Sequence, residues 1–297
     1  MAENKKATEI VIISGKGGTG KTSLTASFAA LFKDAVLADC DVDASDLHLV
    51  TSPETISEES FISGNEAVIN KDLCTGCGRC ASLCRFDAIS RDAGTGKYFI
   101  ENTGCEGCGV CVDNCPVNAI KFPERNCGRW MISETGYGTM VHARLNPGAE
   151  NSGKLVSLVR NTARGIAEKQ KADIILIDGP PGIGCPVIAS LTGTDYVVAV
   201  TEPTLSGQHD LDRLLGLVSH FKIPVSVCVN KWDINPDITS DIEKLSEEKG
   251  ASIIGRISYD RSVTEAQING MSAVEIENSI AAKEITEIWK KLKQKMN

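Results

Sequence analysis

Hydrophobic positions recur with two different periods along this chain. Six short runs are apolar at nearly every position: EIVIIS (9–14), AVLADCD (35–41), DIILIDG (173–179), DYVVAVTE (195–202), PVSVCVN (224–230) and SIIGRI (252–257). Runs of that length and composition predict parallel strands buried on both faces. Between them, SLTASFAALF (23–32), KLVSLVRNTARGIAEKQ (154–170) and GQHDLDRLLGLVSHF (207–221) read as helices. The alternation predicts an α/β fold, a doubly wound and mainly parallel sheet. One block, residues 64–125, breaks the rhythm, and removing it leaves the alternation continuous. The expected organisation is a small α+β domain at 64–125 inserted into a larger domain made of 1–63 and 126–297. At the C-terminus Ile285, Ile288, Trp289, Leu292 and Met296 fall on one helical stripe with Lys290, Lys291, Lys293 and Lys295 around it. A membrane-surface helix carries such a pattern, but a single apolar stripe is expected to pack on the domain.

Composition narrows the function classes. Across 297 residues, 42% are hydrophobic and 24% charged, with a formal net charge of -8. That balance argues against a nucleic-acid partner read through a basic face. No apolar run approaches the ~20 residues needed to span a bilayer, and the N-terminus carries no signal-peptide pattern, so a cytoplasmic protein without membrane association is expected. In a reducing compartment the twelve cysteines point to metal ligation rather than to disulfides.

Cysteine spacing carries the next step. Cys74, Cys77, Cys80 and Cys84 are followed 31 residues later by Cys105, Cys108, Cys111 and Cys115, two copies of C-x2-C-x2-C-x3-C. Gly76, Gly78, Ala88 and Ile89 recur in register as Gly107, Gly109, Ala119 and Ile120, which marks a duplicated unit. In this pattern the fourth thiolate of each copy serves the other copy's cluster. Cys74, Cys77, Cys80 and Cys115 are therefore expected to hold one 4Fe-4S cluster, and Cys105, Cys108, Cys111 and Cys84 the second. A zinc ribbon fits poorly, because a full repeat of four thiolates exceeds what one tetrahedral ion needs. The spacing resembles that of bacterial two-cluster ferredoxins, with one departure: Pro116 follows Cys115 as usual, whereas Arg85 follows Cys84.

A second motif lies upstream. Gly15-Lys16-Gly17-Gly18-Thr19-Gly20-Lys21-Thr22 follows a strand and opens a helix, the context that a phosphate-binding loop requires. Its glycines let backbone N–H groups turn toward phosphates at a helix N-terminus. Lys21 is expected to reach the β- and γ-phosphates and Thr22 the magnesium.

Simple phosphate cradling has no need of Lys16. SGKGGTGKT resembles the deviant Walker A loop of the MinD/ParA/nitrogenase-iron-protein family of dimeric ATPases. The strings CEGCGVC, YGTMVHARLNPGAENSGKLV, DGPPGIGCPVIASLTGTD, VTEPTLSGQHDLDRLL and VNKWD extend the likeness to members with an inserted ferredoxin domain, over about residues 9 to 275. The resemblance implies that Lys16 crosses a homodimer interface to the partner's nucleotide. It implies that Asp41 orients the attacking water, with Asp39 and Asp43 as weaker magnesium-side candidates. Asp178 resembles a Walker B aspartate that holds magnesium through water, and Asn230 resembles the family's adenine-contacting asparagine. Asn230-Lys231-Trp232-Asp233 also satisfies the NKxD pattern of guanine-specific loops, which keeps GTP as an alternative to ATP and ADP.

Four cysteines remain. Cys40 and Cys228 sit inside apolar strands as small buried residues, and Cys127 has no evident partner. Cys185 lies seven residues after Asp178, an offset that looks like that of the nitrogenase iron protein's cluster cysteine. In a symmetric dimer two copies could share a metal; a packed cysteine beside a switch loop is the plainer reading. His48 and His142 read as structural. Together these motifs predict an ATP-hydrolysing homodimer that couples nucleotide turnover to electron transfer, or to metal or iron–sulfur cluster assembly on a partner protein. A MinD-like positioning ATPase with structural clusters, and a cluster scaffold or electron carrier with negligible hydrolysis, are the alternatives.

Overall fold

The computed structural model describes residues 6–149 and 153–296. In chain order its elements are β1 (Thr8–Ser14), α1 (Lys21–Phe32), β2 (Val36–Asp39), α2 (Leu47–Thr51), β3 (Glu54–Asn65), β4 (Val68–Ile69), α3 (Arg79–Leu83), β5 (Ile89–Arg91), β6 (Tyr98–Ile100) and α4 (Val110–Asp113). They continue with β7 (Ile120–Lys121), β8 (Glu124–Thr135), β9 (Gly138–Leu145), α5 (Lys154–Gln170), β10 (Ile174–Pro181), α6 (Cys185–Leu191), β11 (Tyr196–Thr201) and α7 (Leu205–Phe221). The last are β12 (Val225–Asn230), α8 (Pro236–Glu248), β13 (Ser252–Ile257), α9 (Arg261–Ile268) and α10 (Ile280–Met296). The described residues form two compact units, one of 6–58, 130–144 and 153–296, the other of 59–129 and 145–149.

The larger unit is organised by one sheet of order β13-β12-β11-β1-β10-β2-β9-β8-β3. Pairings from β13 across to β9 are parallel. Ile10, Val11, Ile12 and Ile13 of the central strand are fully buried, as the two-sided apolar pattern requires. Register places Asp178 of β10 beside Asp39 of β2, so two acids meet at the carboxyl ends of neighbouring strands. The strand expected over 35–41 stops at Asp39, which leaves Asp41 in the following loop.

Three strands escape the apolar-run reading: β9, β8 and β3 extend the sheet beyond β2. β3, ETISEESFISGN, buries only Phe61 along its length, so its polar face hides it from a search for apolar runs. The C-terminal stripe docks. Ile285, Ile288, Trp289 and Leu292 are buried, and the Trp289 ring lies 5.0 Å from Phe28 and 6.0 Å from Phe32 of α1. No helix among the described residues is long and apolar enough to cross a membrane.

Close packing beneath α10 yields a direct test. A Cβ added to Gly255 of β13 would lie 2.5 Å from Ile288 Cγ1. Gly255→Ala is therefore expected to cost about 1–3 kcal/mol in urea unfolding, through overpacking. Adding Ile288→Ala, which removes the clashing Cγ1, should make the double change cost less than the sum of the two single changes.

The smaller unit shows the duplication in its backbone. β4 pairs with β7 and β5 with β6, both antiparallel, and the partners Ile69↔Ile120 and Ile100↔Ile89 are 31-residue images of each other. Gly76 and Gly78 take left-handed φ values of 72° and 77°, and Gly107 and Gly109 take 62° and 76°. The repeat extends to a pair that is not glycine: Asp87 at φ 52° and Asn118 at φ 51°. Its core is thin, with buried Ala67, Cys111 and Ile120 joined by partly buried Cys80, Cys105, Cys115, Ile69, Ile89 and Phe122.

Candidate functional site

In the larger unit the chain leaves β1 at Ser14, turns through the glycine loop and enters α1 at Lys21. Gly20 is required twice over: its φ is 94°, and a Cβ there would lie 2.4 Å from Asn230 Nδ2. That amide donates to Thr19 O at 2.8 Å, so Asn230, at the end of β12, ties the loop to the far side of the site. Thr19 Oγ1 is buried without a hydrogen-bond partner among the described residues, a donor and acceptor left for a bound group.

Lys21 is buried and donates through Nζ to Asp41 Oδ2. Burial alone would lower its pKa, but Asp178, Asp41 and Asp39 more than offset this and hold it above its usual value. Thr22 Oγ1 donates to Asp178 Oδ2 at 2.7 Å and Thr25 Oγ1 to Asp178 Oδ1 at 3.2 Å. Burial pushes the Asp178 carboxyl up. Asp39 is pushed up to about 8 by burial and then by Asp178, while it accepts from Ser45 Oγ at 2.7 Å and from the Asp41 N–H at 3.2 Å. Asp43 is raised more mildly, by partial burial and Asp41.

Three buried carboxylates thus crowd one ammonium. Such an excess of negative charge suits a divalent cation together with phosphates. Among the described residues no three His, Cys, Asp or Glu side chains converge on one metal ion. Magnesium does not demand that, because it keeps waters and substrate oxygens around one or two protein ligands. The hydroxyl of Thr22 and the carboxylate of Asp178 are the fitting pair.

Lys16 is turned onto its own chain, with Nζ 2.6 Å from Glu202 Oε1. Glu202 is a participant that the sequence does not reveal, because nothing in one dimension brings residue 202 to residue 16. A cavity of about 160 Å³ opens beside the loop, lined by Gly18, Gly20, Asn230, Lys231, Tyr259 and others. Asp233, the acid of the NKxD string, does not line it: its Oδ1 accepts the Tyr259 N–H at 2.7 Å.

The smaller unit holds the duplicated cysteines. One cavity is lined by Cys74, Cys77, Cys80 and Cys115, with Ile69, Tyr98, Pro116 and Ile120 completing its wall. These four are the cysteines expected to share a cluster, three from one copy and the fourth from the other. N–H groups of Tyr98 and then Gly76 hold the Cys74 thiol below its usual value, which favours the ligating thiolate. In the second set, burial and then Cys105 and Cys108 push the Cys111 thiol up to about 11. Cys84 sits half-buried at the end of α3, its N–H on Ala81 O at 3.2 Å. The donor chemistry fits iron–sulfur clusters, whose cubanes spread four thiolates wider than a single ion does.

The remaining candidates hold neither phosphate nor cluster, although Cys40 stands between Asp39 and Asp41 and its N–H donates to Asp178 O at 2.8 Å. Cys185 is exposed at the first turn of α6. Cys127 is buried and donates to Ser63 O at 3.1 Å. Cys40 and Cys228 are fully buried. His142 lies 2.9 Å from Ser133 Oγ, and burial, then His48, lowers its pKa to about 4.

Residues 10–274 match the CobQ/CobB/MinD/ParA nucleotide binding domain. The chain is 35% identical to an uncharacterised protein of Methanocaldococcus jannaschii, covering 96% of each chain. It is 24% identical to the septum site-determining protein MinD of Buchnera aphidicola, covering 92% of this chain and 86% of that one. An iron-sulfur cluster carrier protein of Pyrococcus horikoshii is 27% identical over 48% of this chain and 53% of its own. Among solved structures, MinD of P. horikoshii complexed with Mg-ADP superposes with a TM-score of 0.58 at 16% identity, covering 98% of both chains.

Proposed function

Because this chain belongs to the CobQ/CobB/MinD/ParA nucleotide-binding family, we propose that its P-loop ATPase site works together with two 4Fe-4S clusters, coupling nucleotide turnover to electron transfer or cluster assembly on a partner protein. The ATPase half rests on family membership, and MinD of P. horikoshii was solved with Mg-ADP. Lys21 holds the transferred phosphoryl group, Asp41 orients the attacking water, and Thr22 with Asp178 hold magnesium, which screens charge between the phosphates. Asn230 braces the loop beside the base, and Lys16 completes the site from the second copy of a homodimer.

The observation that carries the iron–sulfur half is the shared cavity of Cys74, Cys77, Cys80 and Cys115. Bound clusters would supply one-electron storage and transfer. Switch segments that respond to nucleotide state are the bistable element that such coupling requires. The likeness to a cluster carrier protein supports the assembly branch.

The comparisons support a second reading better than the first. MinD relatives match most of the chain, which favours a positioning ATPase whose clusters serve as structure. One experiment separates the two: anaerobic purification, iron and sulfide analysis, and ATP turnover with the clusters oxidised and reduced. Two cubanes predict about eight irons and eight sulfides per chain, with turnover that depends on oxidation state. Equal turnover in both states leaves the positioning reading, and zinc in place of iron removes the clusters altogether.

A further inference from the structure

An ammonium group has three N–H donors. For Lys16 the chain supplies three acceptors: Glu202 Oε1 at 2.6 Å, Ser206 Oγ at 3.0 Å and Thr204 Oγ1 at 3.2 Å. All three come from residues 202–206, the link after β11 and the first turn of α7. That link is firmly built. Thr204 Oγ1 caps α7 by accepting the Gly207 N–H at 3.0 Å, and a Cβ on Gly207 would lie 2.4 Å from Glu202 O. Lys231 Nζ stands 3.5 Å from Glu202 Oε2, so the carboxylate faces a lysine on each side. The side chains of Lys16 and Glu202 are only 26% and 19% exposed, which reduces solvent screening of the pair.

On one side the lysine's backbone is held: Lys16 O accepts from Ser14 Oγ at 2.7 Å, and a Cβ on Gly15 would lie 2.6 Å from Asp210; on the other side it is open. A Cβ added at Gly17 or Gly18 would meet nothing within 4 Å, so there is open space around the loop through which Lys16 can swing. A fully satisfied cation with open space on one side, facing a preformed acidic acceptor, is a side chain held in reserve.

We propose that Glu202, with Thr204 and Ser206, forms a socket that parks Lys16 on its own chain and is vacated when two chains pair over nucleotide. The proposal rests on the reading that Lys16 acts on a second copy's phosphates. Glu202 is then a positioning residue: it touches no substrate and sets how much triphosphate is needed to draw Lys16 away. Phosphate oxygens compete for the same donors, and a weaker socket loses that competition earlier.

The test uses the full chain, prepared anaerobically, with sedimentation velocity measured across a titration of a non-hydrolysable ATP analogue. Wild type, Glu202→Gln, Glu202→Asp and Lys16→Ala are compared. Glu202→Gln is expected to pair at about tenfold lower analogue concentration, equivalent to about 1.4 kcal/mol. Glu202→Asp, which keeps the charge, should stay near wild type. Pairing of Glu202→Gln at an unchanged or higher concentration, while wild type pairs and Lys16→Ala does not, overturns the socket and leaves the role of Lys16 intact. A wild type that stays monomeric, or a Lys16→Ala variant that pairs as readily as wild type, overturns that role and the socket with it.

Discussion

Lys21→Ala is expected to reduce steady-state ATP hydrolysis by about 10²–10³-fold or more, the loss seen when one preorganised donor to a charged transition state is removed. The reason lies in what surrounds Nζ. It sits among Asp41, Asp178 and Asp39, which hold the lysine charged despite its burial. Without it the chain has no ammonium of its own where phosphate charge has to be met, only the Lys16 that a second copy brings, and three acidic side chains then face the incoming phosphates. Removing one partner of a buried pair also costs about 3–5 kcal/mol of folding stability when the charge left behind stays ionised. Asp39 and Asp178 already have raised pKa values and can take up a proton instead, so a smaller stability loss is expected. Phosphate release with Mg-ATP, recorded beside a thermal unfolding curve, separates the two effects. A folded Lys21→Ala protein that keeps more than about a tenth of wild-type turnover would mean that the transferred phosphoryl group is held elsewhere.

How much of this site was legible in one dimension depends on whether its parts are contiguous. Gly15 to Thr22 could be read because strand, turn and helix follow each other directly, and Asp178 because it ends a long apolar run. The meeting of Asp178 with Asp39 could not, because it depends on β10 lying next to β2 and on their register. Glu202 was hidden for a related reason: its approach to Lys16 follows from β11 lying next to β1. The six apolar runs located most of the sheet, whereas β3 was invisible because a strand that buries one residue in twelve has almost no apolar signature. In the smaller unit the cysteine repeat announced the duplication, but the paired left-handed turns at Asp87 and Asn118 needed coordinates, since either residue is equally at home in ordinary turns. The NKxD string shows the opposite hazard. Its four residues match a base-reading motif, yet Asp233 does not line the cavity beside the loop, and its Oδ1 accepts the Tyr259 N–H.

Cys115→Ser is expected to remove about half of the bound iron and to destabilise the smaller unit without unfolding it, while the larger one keeps its own transition. Cys115 comes from the second cysteine run but lines the cavity of the first, so its loss should empty the site formed by Cys74, Cys77 and Cys80. The effect on folding follows from the size of the core. Among the described residues its buried apolar side chains are few and mostly small, Ala67, Ala88, Ala119 and Ile120 with Phe61, Cys111 and Cys127, too little apolar surface to offset the entropy of ordering a unit of this size. Cluster ligation must supply the difference, since the free energy of metal binding is also free energy of folding in such units. Iron analysis, the cluster absorbance and proteolysis within residues 59–129 read the outcome. Cys127→Ser is the control: Cys127 lies outside both runs and donates to Ser63 O, a bond that a serine hydroxyl can replace, so its iron content should match wild type. Full iron retention in Cys115→Ser would show that the two runs do not exchange their fourth ligand, and equal iron loss in both variants would show that the smaller unit simply tolerates no change at its buried cysteines.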